Sequence, residues 1–159
     1  MTPLNVAIGE LGKEEIPRGS NWGEHVKKYL HSVGINFPAS WCMAFIYWCV
    51  EAAGIRVNVG NVGSAIFVNP LVRTGGVLAQ WNQVDIKYKI TVSPDVGDIF
   101  IMDYGHGLGH TGFIEKIEGD TLHTIEGNTN DTGSREGYEV CRRYRKIKAC
   151  KGFIRIPQS

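Results

Sequence analysis

Thr111-Gly112-Phe113-Ile114-Glu115-Lys116-Ile117-Glu118-Gly119-Asp120-Thr121-Leu122-His123-Thr124-Ile125-Glu126 is the stretch that separates two fold classes. Its two halves, Thr111 to Glu118 and Thr121 to Glu126, read as strands, and Gly119-Asp120 between them suits a tight hairpin turn. Downstream, Tyr138 to Tyr144 and Gly152 to Ile156 read as further strands. Upstream, Asp98-Ile99-Phe100-Ile101-Met102 follows the turn Pro94-Asp95-Val96-Gly97 and reads the same way. The second half of the chain is therefore about five antiparallel strands.

The first half reads differently. Cys42 to Ala53, stopped by Gly54, is hydrophobic nearly all round, which marks a buried helix rather than a surface one. Asn21-Trp22-Gly23-Glu24 resembles a capping box, with Asn21 as N-cap and a carboxylate three residues on. The helix it opens runs to about Val33 and ends at Gly34, with Val26, Tyr29, Leu30 and Val33 on one face. Pro3 to Gly12 suggests a short opening helix, and Ser64 a cap for another over Ala65 to Val72. Helices first and antiparallel strands afterwards give an α+β fold. With 159 residues and no repeat, low-complexity block or linker, residues 1–159 are expected to form a single domain.

Composition narrows the function. Hydrophobic residues at 43% and charged residues at 21% suffice for a core and exclude a disordered chain. Twenty glycines, nearly twice the usual ~7%, point to many turns or to backbone brought close to a ligand. The longest apolar run, Trp41 to Val50, has ten residues, against the ~18–20 that span a bilayer. Met1-Thr2-Pro3-Leu4-Asn5 lacks a basic start and an apolar h-region, so no secretory signal is expected. From Arg135 onward eight Lys/Arg face two Glu, whereas the preceding residues carry nine Lys/Arg against fourteen Asp/Glu. The basic end reads as a solvated charged face on a C-terminal hairpin, and nothing in it resembles a nucleic-acid module. Cys42, Cys49, Cys141 and Cys150 do not form a disulfide-dense pattern, and spacing alone does not establish a Cys141–Cys150 pair. Free thiols fit synthesis in a reducing cytoplasm.

Cys42 is the first candidate for chemistry. A thiol at the start of a helix sits at the positive end of the dipole, which favours thiolate, and its own N–H can stabilise an oxyanion. Cys49, deeper in the same helix, reads as structural. A cysteine nucleophile needs a histidine to take and return its proton. His110, within Gly105-His106-Gly107-Leu108-Gly109-His110-Thr111-Gly112, precedes a strand, and His106 competes from the adjoining loop. Ile125-Glu126-Gly127-Asn128 ends the next strand, where Glu126 or Asn128 can hold the second imidazole nitrogen; Asn128 can also donate to an oxyanion. Gly107 to Gly112 matches G-x-G-x-x-G, but a strand follows where a dinucleotide site needs a helix. Cys42 and Cys49 with His106 and His110 lack zinc-ligand spacing, and no D-x-[DN]-x-[DN]-G calcium loop occurs.

Trp41-Cys42-Met43-Ala44-Phe45 with Trp48, then Gly109-His110-Thr111-Gly112-Phe113-Ile114, then Ile125-Glu126-Gly127-Asn128 resemble the CHAP domain, the cysteine- and histidine-dependent amidohydrolase/peptidase family. The likeness extends from about Glu10 to Ile156 and implies a papain-like fold with N-terminal helices packed on a C-terminal sheet. It implies Cys42 as nucleophile and His110, in the G-H-x-G position, as general base and acid. Glu126 would orient His110, and Asn128 would be the fourth polar residue. It further implies cleavage of an amide bond in bacterial peptidoglycan, either muramoyl–alanine or within the peptides. Some relatives bind calcium, but the acidic loop for it is not evident, so no metal and no cofactor are expected. A wall hydrolase without a signal would reach its substrate by phage lysis or by delivery into a competitor; the second case implies an immunity protein. The rival readings are an inactive CHAP-like module that binds cell wall or protein, and a cysteine acyltransferase.

Overall fold

The computed structural model of the protein describes residues 1–58, 65–127 and 137–159. In chain order its elements are α1 (Pro3–Gly9), α2 (Glu24–Ser32), α3 (Cys42–Ala53), β1 (Arg56–Asn58), β2 (Ala65–Phe67), α4 (Val77–Gln83), β3 (Lys89–Ile90), β4 (Ile99–Gly105), β5 (Leu108–Glu118), β6 (Thr121–Gly127), β7 (Val140–Lys146) and β8 (Gly152–Ile154). The fold is α+β as the sequence predicts, with the five expected strands in one antiparallel sheet. A two-residue strand, β3, adds a sixth, in the order β3-β8-β4-β5-β6-β7. Glu118 and Thr121 pair directly, so Gly119 and Asp120 close the hairpin, with Gly119 at φ +59.

Alternation along the strands gives each face of the sheet its own core. Ile99, Ile101, Phe113 and Ile125 join the helices in the main cluster, while Phe100, Met102, Ile114, Leu122 and Phe153 form a second. α3 packs on β5 and β6 as well as on α1 and α2. Cys42 to Tyr47, Cys49 and Val50 are buried, as its all-round apolar sequence requires. Each large apolar side chain so buried contributes roughly 1.5–3 kcal/mol. Gly54 ends the helix in the left-handed region at φ +67, where a side chain would be strained.

Three local expectations need correction, and one helix is additional. α1 stops at Gly9 rather than Gly12, because the chain turns to let Gly12 N–H bond the Val140 carbonyl. The N-cap of α2 is Gly23 at φ +116, not Asn21, which sits before the helix at φ +54. A Cβ on Gly23 would lie 2.7 Å from the Ile16 backbone nitrogen, so the chain needs glycine there for close approach. Ala65–Phe67 is a strand paired antiparallel with β1, not the start of a helix. Ala-Ile-Phe-Val suits a strand, and Pro70 disfavours helix at the preceding residue; the expected cap at Ser64 lies outside the described residues. α4 was not expected at all. Its buried positions Val77, Gln80 and Trp81 have helical spacing, and the Gln80 amide makes two hydrogen bonds to the backbone of Val72.

Candidate active site

The N-terminus of α3 presents Cys42 as its first residue, after Trp41 in a non-helical conformation. The Trp41 side chain does not cap this end, and the thiol sits at the positive end of the helix dipole. Trp41 anchors the helix start. Its indole Nε1 donates to Glu15 Oε1 at 3.0 Å, and its ring stacks on Tyr29 with centroids 5.6 Å apart. Glu15 in turn accepts from Gly19 N–H at 2.7 Å, which ties the 15–19 loop to the same point. The phenol of Tyr29 donates to Glu10 at 2.7 Å.

His110 lies on β5 opposite Met102 of β4, with its ring 6.1 Å from that of Phe100. Its Nε2 is 2.6 Å from Glu126 Oε1 on β6, and its side chain also hydrogen-bonds the Cys42 thiol. Glu126 holds the ring at Nε2. Cys42, His110 and Glu126 are thus brought together, with 3%, 3% and 0% exposure. His106 sits exposed in the β4–β5 turn at φ +56, apart from this cluster. Asn128 lies outside the described residues.

Gly112 is what allows the imidazole and the carboxylate to meet. It stands between them on the same face, opposite Phe100. A Cβ there would be 2.7 Å from Glu126 Cγ and 2.6 Å from the Phe100 ring. The glycine of the Gly-His-Thr-Gly run therefore provides space for the contact.

Sequence reasoning missed how Glu126 is held. Arg145 on β7 grips it with two hydrogen bonds, Nε to Oε2 at 2.9 Å and Nη2 to Oε1 at 2.7 Å. The Thr124 hydroxyl donates to Oε2 at 2.6 Å. A buried carboxylate needs such partners, and the nearest cations in sequence were those of the basic end. That signal was present but read as a solvated face. Arg155, itself 41% exposed, also forms two hydrogen bonds with buried Asp98, at 2.9 and 2.8 Å.

The electrostatics follow from these contacts. Burial alone would push the His110 imidazolium down, but hydrogen bonds and charges from Cys42 and Glu126 outweigh it and raise the ring from 6.5 to about 9. Burial would raise Glu126, yet Arg145 and His110 bring it from 4.5 down to about 2. Complete burial raises the Cys49 thiol well above the usual value. All four cysteines are free thiols. Among the described residues no group of three or more His, Cys, Asp or Glu is placed to hold a metal ion. None of the helices described is long and apolar enough to cross a membrane.

A helix-borne thiol, a strand-borne histidine and a buried carboxylate define a papain-like arrangement. The family model for the CHAP domain matches residues 34–128, and the chain belongs to that family. Among solved structures it is similar to the wild-type endolysin LysIME-EF1, at 16% identity and a TM-score of 0.59, covering all of this chain and 66% of that one. It is also similar to Ly7917, at 17% identity and a TM-score of 0.53, covering 98% of this chain and 61% of that one. The chain therefore spans under two thirds of either neighbour, and at these identities the likeness is one of fold. No curated protein matches it.

Proposed function

We propose that the protein is a single catalytic CHAP unit that hydrolyses an amide bond of bacterial peptidoglycan through a thioester on Cys42. The observation that carries this reading is the Cys42 thiol at the N-terminus of α3, hydrogen-bonded to a histidine whose Nε2 is held by Glu126. The Cys42 thiolate attacks the scissile carbonyl, and the Cys42 N–H with a neighbouring donor receives the oxyanion. His110, as imidazolium, protonates the leaving amine as the C–N bond breaks. Neutral His110 then takes a proton from water as it attacks the thioester, and Cys42 leaves as thiolate. Glu126 fixes the imidazole tautomer, and Asn128 is the fourth polar residue of the site.

The bond is either muramoyl–alanine or one within the stem or cross-bridge peptides. The likeness in fold to the endolysin LysIME-EF1 favours wall lysis as the setting; delivery into a competing bacterium, with an immunity protein in the producer, is the other route. Digestion of purified peptidoglycan by the wild type and by Cys42→Ala, with fragments identified by mass spectrometry, tests the reaction. Fragments from the wild type alone are expected, and their masses name the bond. No fragments from either across several wall types would favour the binding or acyltransfer readings instead.

A further inference from the structure

Resting on the reaction proposed above, we propose that Arg145 is a positioning residue for catalysis: its fixed charge keeps Glu126 ionised while His110 passes between imidazolium and neutral imidazole. The geometry is specific. Arg145 Nη2 donates to Oε1, the same carboxylate oxygen that faces His110 Nε2, while its Nε donates to Oε2. Glu126 is fully buried. When His110 gives its proton to the leaving amine, the carboxylate loses its cationic partner on that side. A buried carboxylate left without a counter-charge is costly, so without Arg145 the imidazolium would hold its proton more tightly. With Arg145 in place, Glu126 is neutralised in both states, and proton exchange is confined to His110, Cys42 and the substrate.

Arg143, opposite Thr124, is a second cation on this face, but the two hydrogen bonds that grip the carboxylate here come from Arg145. Thr124 donates one neutral hydrogen bond. Cys141, opposite Glu126 across β6 and β7, and Cys150 are both thiols whose burial pushes them up, Cys150 to about 11, so they stay neutral at working pH. Tyr104 on β4 acts electrostatically on Arg145. Cys42 is the other group in contact with the ring.

The test is the titration of the His110 ring, followed by NMR of histidine-labelled protein with His110→Ala as the assignment control. Arg145→Met is expected to move the His110 titration upward by about one unit or more and to lower kcat about tenfold or more with KM little changed. Arg145→Lys keeps the charge and should titrate close to wild type. Arg145→Gln keeps a donor without charge, covers the case in which the methionine variant does not fold, and must show the same upward shift. A folded uncharged variant whose His110 titrates as in wild type would overturn the assignment, because a purely structural arginine changes melting temperature and leaves the titration in place. The titration needs no substrate. A wild type that releases nothing from peptidoglycan would sink the proposed reaction, while an unmoved titration beside intact digestion would sink only the role of Arg145.

Discussion

Arg142 and Arg145 stand on the same strand and grip their glutamates in nearly the same way. Arg142 Nε and Nη2 lie 2.8 and 3.0 Å from Glu115, and those of Arg145 lie 2.9 and 2.7 Å from Glu126. Their odd spacing sends them to opposite faces of the sheet. Glu115 keeps 24% of its side chain exposed and Glu126 keeps none. Water and salt can replace the first pair's contacts, so it contributes little. The second has no such substitute and is joined to His110. Geometry alone does not separate an ornament of the surface from part of the site; burial and the third partner do.

Glu126→Ala is the substitution that breaks this contrast most strongly. It should cost about 3 kcal/mol in urea denaturation, by leaving Arg145 and His110 without their anion. It should also lower turnover about a hundredfold without abolishing it; loss equal to that of Cys42→Ala would give Glu126 a more direct part. Gly112→Ala attacks the same contact through space. The new methyl group should cost about 1–3 kcal/mol and reduce activity, measured alongside melting temperature.

The pH dependence of stability sharpens the comparison. His110 is raised from 6.5 to about 9, so its contribution is complete below 6.5 and is lost as pH climbs through 9. Glu126 is lowered from 4.5 to about 2, so its contribution is complete above 4.5 and is lost as pH falls toward 2. Urea midpoints across pH should flatten on both sides in Glu126→Gln. Glu115→Gln should leave the alkaline slope intact and alter midpoint stability by no more than about 0.5–1 kcal/mol. It is the smallest effect expected, and a large loss there would erase the distinction between the pairs.

The fold was legible where pattern is strong. The apolar run of α3, the Gly119-Asp120 turn and the alternating strands could be read directly, and they place Cys42, His110 and Glu126 in the order that the site requires. α4 was missed because seven residues after a Gly-Gly pair carry too short a period to register. Asn21 was misread as a cap because its side-chain type matches the pattern while its backbone conformation does not. Arg145 was hidden for a different reason. Its partner is nineteen residues away in sequence and four positions along β6 from Leu122, which Arg145 opposes, and a basic strand looks solvated until the acid it faces is known to be buried.

The central claim, that Cys42 and His110 form an activated pair, can be read from the molecule's own four thiols. The wild type is treated briefly with iodoacetamide at about pH 6, well below the ~8.5 of a free thiol, and peptide mass spectrometry locates the label. Cys49, Cys141 and Cys150 have thiols pushed upward by burial and serve as internal controls. Rapid alkylation of Cys42 alone, abolished by His110→Ala, is the predicted result. Labelling of Cys141 or Cys150 as fast as Cys42, or selectivity that survives without His110, would contradict it.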